Sequence, residues 1–471
     1  MNATAIAARH QHPRPSISLP IPPALLALAA LAAAIVIGAL FAYDARLGLA
    51  GLLGALYLPV VLINLPVAAV LWVPLAFVGA IPKVNLISLA LVILLIAAWL
   101  AVLPARRAFV GALLRRNAAL LWGVALLAAW LTASIAWAGD PGAAIANVWN
   151  WFISAAVFML LATTITRPRH LIALIIAIAV GVSLAALAGY LPSNETDLTA
   201  QVDGRLSGGL GDPNYLAAAI VPVMALTVGL AATTRRRGLR WALIAANGFL
   251  LLSLVATGSR GGLVAATVAA VAAIALTRSP RVRLGGILLT AVAILGLWVA
   301  ANSSDTWGRI KDFDSSGTGR VELWTVAWRM GLDHPLVGVG VDNFLSESVN
   351  YVRQPGQLQD VHLISEQPHV AHNIYLQQFA ETGLVGLSLL VFVLVASLVT
   401  TWKAVRKLER WGLDRIASLG RSILVAQVSV LAASTFISNG YDKVLWVLLA
   451  LSPILGTIAA RSDPDVEEAW V

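Results

Sequence analysis

Apolar runs of about 18 to 25 residues, built from Leu, Ala, Val and Ile, recur along almost the whole chain and are separated by short polar or basic stretches. A helix needs about 20 such residues to cross roughly 30 Å of hydrocarbon, whereas a membrane strand needs about 10 of alternating polarity, so the pattern predicts helices. Spans are expected near residues 24–42, 47–63, 65–81, 86–104, 118–137, 150–166, 171–190, 213–232, 241–257, 262–277, 284–302, 372–400, 420–438 and 443–460. Asn64-Leu65-Pro66 reads either as the turn of a short hairpin or as a kink, which leaves twelve or fourteen spans. Either count is even and sets both termini on one side. The predicted fold class is an all-α polytopic membrane protein.

Composition removes the soluble alternatives. Hydrophobic residues make up 59% of the chain and charged residues 12%, against roughly 25% charged in a soluble domain, and the mean hydropathy is +0.85. The formal charge of +9 is unevenly spread. One set of loops holds Arg9 and Arg14, Arg106, Arg107, Arg115 and Arg116, Arg167 and Arg169, the 235–240 and 278–283 clusters, the 403–421 cluster and Arg461. It collects 22 of the 32 basic residues, while the opposite set holds 17 of the 23 acidic ones. By the positive-inside rule the first set is cytoplasmic, so the high pI reflects topology and argues nothing for nucleic acid.

The N-terminal stretch is polar and basic, without a small-residue cleavage site after a short apolar core, and reads as a cytoplasmic tail before a retained span. Zero cysteines exclude disulfides, thiolate metal sites and cysteine nucleophiles. No repeat of fixed period is visible, which counts against an inverted-repeat transporter. The expected organisation is a tail over residues 1–23, a transmembrane bundle over 24–302, a large outer loop over 303–371, further transmembrane helices over 372–460 and a tail over 461–471.

The loop at 303–371 breaks the apolar pattern, and a loop of this length inside a compact protein is usually functional or disordered. Its composition is not that of a disordered segment. Leu323, Trp324, Ala327, Trp328 and Leu332 stand close to helical spacing, predicting a helix over 321–332 that ends at Asp333-His334-Pro335 and the Gly338-Val-Gly340 pair. Trp324 and Trp328 read as interface anchors. Four of the seven histidines, His334, His362, His369 and His372, fall here. Their spacings lack an HExxH or a comparable pair with carboxylate support, so no metal is expected. His334 stands at a helix end, where it caps carbonyls, and His362 and His369 read as solvated or adjacent to substrate. His372 differs, because it closes the polar loop where a long apolar run begins and so puts an imidazole at the membrane surface.

His372-Asn373, nine further residues and then Gly383-Leu-Val-Gly386 resembles the signature of bacterial O-antigen ligases, which join a lipid-linked O-polysaccharide to the lipid A core. GRLSGGLGDPNYLA from Gly204, TGSRGG from Thr257, GTGR then ELW from Gly317, HPLVGVGVDNF from His334 and HNIYLQQFAETGLVG from His372 resemble the wider family. That family also contains O-antigen polymerases and protein-directed O-oligosaccharyltransferases. The matches keep the same order over residues 200–445, whereas the first 200 residues resemble it only as apolar spans. The resemblance implies a GT-C-like bundle of 12–14 transmembrane helices with a helical periplasmic loop cap, in the bacterial inner membrane. It further implies inverting, cofactor-free and metal-independent transfer of an O-antigen glycan from undecaprenyl diphosphate to a lipid A-core sugar hydroxyl.

In that scheme the acceptor hydroxyl is a weak nucleophile that benefits from a base, and His372 takes that part with an ordinary imidazole pKa of about 6.5. The departing diphosphate needs positive charge, which a permanently charged planar guanidinium supplies. Arg205, Arg260 and Arg320 lie on the outer side. Arg260 sits in the tight TGSRGG turn, with snorkelling to headgroups or pairing with an acid as its plainer reading. Arg320 opens the loop helix, where amides and the macrodipole favour an anion. Arg205 has Asp203 and Asp212 nearby, so a local salt bridge stands beside a phosphate contact. Asn214, Tyr215, Asn373 and Tyr375 are candidate sugar contacts, each readable equally as an interfacial belt residue. Glu381 is expected to orient a partner in the bundle, and Asp442-Lys443 reads as an internal ion pair. The rivals are a polymerase that elongates lipid-linked glycan, a protein-directed transferase or a ligase acting on another envelope glycan acceptor, and a flippase or transporter, which would predict paired broken helices and internal symmetry.

Overall fold

The computed structural model describes residues 42–191, 201–202, 205–276, 278, 280–302, 320–352 and 369–461, with several positions between 31 and 40. The two tails, most of the first expected span, residues 303–319 and His362 lie outside the described residues. The chain divides into two packing units, residues 1–59 and 60–471. In the first, the described positions from 31 to 43 are helical and α1 (Ala45–Ile63) begins, running on into the second.

In the second unit each expected span is a helix. α2 (Leu65–Ala76) starts because Asn64 caps it, its side chain accepting from the Val67 amide at 3.3 Å, with Pro66 in the first turn where no donor is needed. Its 12 residues reach about 18 Å, so the span expected over 65–81 is shorter than a membrane crossing: Pro74 lies in its last turn and the next helix restarts at Pro82. There follow α3 (Pro82–Val102), α4 (Arg107–Arg116), α5 (Ala118–Ser134), α6 (Pro141–Thr164) and α7 (Pro168–Ala188). A small antiparallel hairpin pairs β1 (Gln201–Val202) with β2 (Arg205–Leu206), Val202 opposite Arg205. The chain continues through α8 (Pro213–Thr233), α9 (Arg237–Ala256), α10 (Arg260–Leu276), α11 (Pro280–Asn302), α12 (Arg320–Asp333), α13 (Phe344–Val352), α14 (Ile374–Arg410), α15 (Asp414–Ala433) and α16 (Lys443–Arg461). Among the described residues nine helices are long and apolar enough to cross a bilayer, and the protein is an all-α polytopic membrane protein.

α8, α15 and α16 form the interior, with 78%, 83% and 83% of their apolar windows buried against 22% for α9. Lipid tails are as apolar as leucine, so packing and polar contacts have to hold such helices together. Gly229 on α8 lets α15 approach at Ser422, and Gln427 on α15 donates to Ser452 on α16 at 2.6 Å while accepting from Thr401 on α14 at 2.8 Å.

The loop helix expected over 321–332 is α12, longer by one residue at each end. It packs on the start of α14 through Leu323, Val326 and Met330, with Phe344 of α13 and Ala380 in the same cluster. Trp324 and Trp328 pack tilted against protein rings, 6.3 Å from Phe436 and 5.4 Å from Phe379.

Candidate active site

The site is built where α9 turns into α10 and α8 begins. Asp212 caps α8, its carboxylate accepting from the amides of Asn214 at 2.6 Å and Tyr215 at 3.0 Å. In the TGSRGG turn Gly258 takes φ +55°, and Ser259 accepts from the Gly262 amide at 3.1 Å. Asn214 joins these parts. Its side-chain oxygen accepts from Ser259 Oγ at 2.9 Å and from the Arg205 guanidinium at 3.3 Å, while Arg205 Nε donates to the Thr257 carbonyl at 2.8 Å. Arg205 is therefore aimed by the chain that precedes Arg260, which itself stands exposed at the head of α10.

Arg320, the first residue of α12, comes to the same place. Burial draws its guanidinium below its ordinary value; Asp212 opposes this, and the charges of Arg205 and Arg260 push the same way as burial. Arg320 thus feels the charges of Arg205, Arg260 and Asp212 together.

His372 closes the arrangement. Burial pulls its imidazole down to about 4, Arg320 adds to the effect, Asp212 works against it and His369 adds a smaller push downward. The His369 and His372 rings lie 6.4 Å apart. His372 holds φ +48°, a left-handed conformation that a non-glycine residue adopts at a cost of about 1–3 kcal/mol, and such outliers cluster at functional sites. Its Nδ1 is buried with no hydrogen-bond partner among the described residues.

The support for His372 explains the glycine pattern around it. Asn373 caps α14, accepting from the amides of Tyr375 at 3.0 Å and Leu376 at 3.1 Å. α14 is broken at Gly383 (φ +67°, ψ −170°), and the turn segment after His334 docks on the opened backbone. The Val339 amide donates to the Ala380 carbonyl at 3.0 Å, Gly340 to Glu381 at 2.8 Å and Leu384 to Pro335 at 2.8 Å. A side chain on Gly338 would strike the Glu381 backbone, and one on Gly383 would strike the Leu336 carbonyl, so both positions need glycine. The two glycine motifs are one mutual backbone contact.

The remaining expected site residues are held by protein groups. Tyr215 donates to the Ser438 carbonyl at 2.7 Å, and Tyr375 to the Leu431 carbonyl at 3.0 Å. The buried Glu381 carboxylate accepts from Gln377 at 2.8 Å and from the amides of Asp342 and Phe344, which ties the docked segment to α14. Asp442 accepts from the Val444 amide at 2.9 Å, and among the described residues no ion pair joins it to Lys443. His334 is exposed at the end of α12.

Sequence reasoning missed Asp212 and Ser259 as organisers, although the Asp-Pro pair of a helix start marks the first. It missed a second polar group too, where Asp342 at φ +58° exerts its charge on Tyr441. There burial raises the Asp342 carboxyl, a hydrogen bond from Asn147 opposes the rise, and Asp140 adds to it.

Comparison with the curated proteins finds no match. Residues 244–391, about a third of the chain, match the family model described as O-antigen ligase. The matched segment holds Arg260, Arg320, His372 and the broken part of α14, while Arg205, Asp212 and Asn214 lie upstream of it. Over that segment the chain is similar to the O-antigen ligase family.

Proposed function

We propose that the chain is an O-antigen ligase: it transfers a glycan from undecaprenyl diphosphate to a sugar hydroxyl of a lipid A core, at the periplasmic face of the bacterial inner membrane. The observation that carries this reading is that the charges of Arg205 and Arg260 act on Arg320, and that of Arg320 on His372, although the four residues come from segments far apart in sequence. A diphosphate is the ligand that three convergent guanidinium groups fit, each charge-assisted hydrogen bond contributing about 1.5–3 kcal/mol. The charge asymmetry of the loops supports the orientation.

The reaction is a single displacement. The acceptor oxygen forms a bond to the anomeric carbon as the bond from that carbon to the diphosphate oxygen breaks, with inversion. The acceptor proton passes to His372, and the electron pair leaves on the undecaprenyl diphosphate, held by the arginines. In the substrate-free site the lowered affinity of His372 for a proton keeps the imidazole neutral and ready to accept. An incoming dianionic diphosphate offsets the arginine field and raises that affinity where it is needed. Asn214, Asp212 and Ser259 keep the donor-binding groups in place, while Asn373, Tyr215, Tyr375 and Glu381 position the backbone that carries them. The GT-C-like bundle also offers a home for the polyprenyl chain. An apolar groove of about 180 Å³ passes Ala269, Ala273, Gly285 and Gly286. Ala269 and Ala273 lie about 14–20 Å down α10 from Arg260 on a 1.5 Å rise per residue.

Single-turnover assays in bilayers, with undecaprenyl-diphosphate glycan and with or without lipid A-core acceptor, test the reading. Acceptor-dependent release of undecaprenyl diphosphate, lost in His372→Ala, is the expected result. Longer lipid-linked glycan formed without the core acceptor would make the protein a polymerase on the same chemistry, and movement of glycan between leaflets with neither product would make it a transporter.

A further inference from the structure

A second set of arginines occupies the opposite end of the same helices. Arg169 is in the first turn of α7, Arg236 immediately precedes α9 and Arg415 is in the first turn of α15, and together they line a cavity of about 420 Å³. Its inner wall is apolar, including Ile172, Ile176 and Leu230 from α7 and α8. No Asp or Glu lines it. Among the described residues none of these arginines is in an ion pair, since Glu409 is engaged by Arg406 and Arg421, and Asp414 in the first turn of α15 is exposed outside the lining.

These cations stand where helix electrostatics does not want them. The N-terminus of a helix favours negative charge, and α7, α9 and α15 have no side-chain cap there, their capping positions being Arg167, Arg236 and Leu413. The positive ends of three helix dipoles and three guanidinium groups therefore add to one positive potential over an apolar wall. A second basic cavity of about 280 Å³, at Arg116, Lys403 and Lys407, lacks this feature, because its cations lie near the C-terminal ends of α4 and α14, where the macrodipole already favours them.

We propose that the Arg169–Arg236–Arg415 cavity binds the phosphate headgroup of an anionic phospholipid, drawn from the leaflet on that side, with an acyl chain against Ile172, Ile176 and Leu230. The charge selects a phosphate, and the apolar wall, running down spanning helices, selects one that carries a hydrocarbon tail. The site is separate from the proposed active site and does not depend on which glycan reaction the protein performs.

The test counts lipids bound to the purified full-length protein by native mass spectrometry during titration with phosphatidylglycerol or phosphatidylcholine in mixed micelles. The wild type is expected to retain phosphatidylglycerol preferentially. Arg169→Gln/Arg236→Gln/Arg415→Gln should bind its tightest phosphatidylglycerol on the order of 100-fold more weakly, and each single change about five-fold. Arg235→Gln/Arg237→Gln/Arg410→Gln removes the same charge from exposed positions outside the cavity and should keep the tight lipid. Equal retention of the two lipids, or an equal loss in the control triple, would overturn the proposal. So would displacement of phosphatidylglycerol by millimolar inorganic phosphate, which would assign the site to soluble anions. If the triple does not fold, the single variants decide, and no change in any of the three would sink the idea.

Discussion

Two triplets of arginines, Arg205, Arg260 and Arg320 in the outer turns and Arg169, Arg236 and Arg415 at the opposite ends of the spanning helices, are built for different work. At the outer end Arg205 is held by the Thr257 carbonyl and Asn214, Arg320 is half-buried within reach of the Asp212 charge, and a strained histidine feels both Arg320 and Asp212. At the other end Arg169, Arg236 and Arg415 ring an open cavity with no acid among its walls. The difference teaches that charge alone recruits an anion, whereas chemistry on that anion needs charges already fixed in place by a supporting shell. Holding groups in position before the substrate arrives removes reorganisation from the reaction step.

His372→Ala should break the outer end most completely, lowering single-turnover transfer by about 10²–10⁴-fold while retention of labelled donor lipid stays near wild type. Loss of donor binding in parallel would make His372 a binding group instead. Next comes Arg320→Gln, expected to cost about 10–100-fold in transfer through loss of charge-assisted hydrogen bonds to the diphosphate, with Arg320→Lys recovering only part. Gly383→Ala should lower thermal stability by about 1–3 kcal/mol and reduce transfer with it, since the left-handed break and the close approach of Leu336 both exclude a side chain.

The pH profile separates the ends more finely. A neutral His372 is the competent form, and its folded value lies near 4 instead of the ordinary 6.5. Lowering the pH past 6.5 should therefore leave kcat/KM unchanged, and the acid limb should appear only near 4. The groups that face the imidazole are Arg320 from α12, Asp212 before α8 and His369 in the loop, so Arg320→Gln should move the limb upward. A limb near 6.5 in wild type would show that His372 is not the group being titrated. The smallest effect belongs to the opposite end: Arg236→Gln should change single-turnover transfer in detergent by less than about two-fold, because surface substitutions away from a site usually shift energies by under about 0.5 kcal/mol.

Much of the fold could be read directly. Apolar runs of membrane length dictate helices whatever their neighbours, because a backbone in lipid has to satisfy its own hydrogen bonds, and the helix over 321–332 followed from its spacing and its terminators. Residues 65–81 read less well, since composition marks a run as apolar without showing that Pro74 cuts it short. The TGSRGG turn, the loop histidine and the paired glycine motifs were also visible as unusual positions in the sequence.

Local pattern determined that this chain spans a membrane as helices and which residue types stand out in its polar turns. Only the tertiary structure decided that the charges of Arg205, Arg260 and Asp212 reach Arg320 and that Arg320 and Asp212 reach His372, and that Asn214 holds Arg205 and Ser259 while Glu381 ties the docked segment to α14. The same holds for Arg169, Arg236 and Arg415, which stand at the starts of three separate helices and converge only when α7, α9 and α15 are packed around α8. Hydrophobic periodicity is a property of neighbours in sequence, whereas a field of converging charges is a property of neighbours in space.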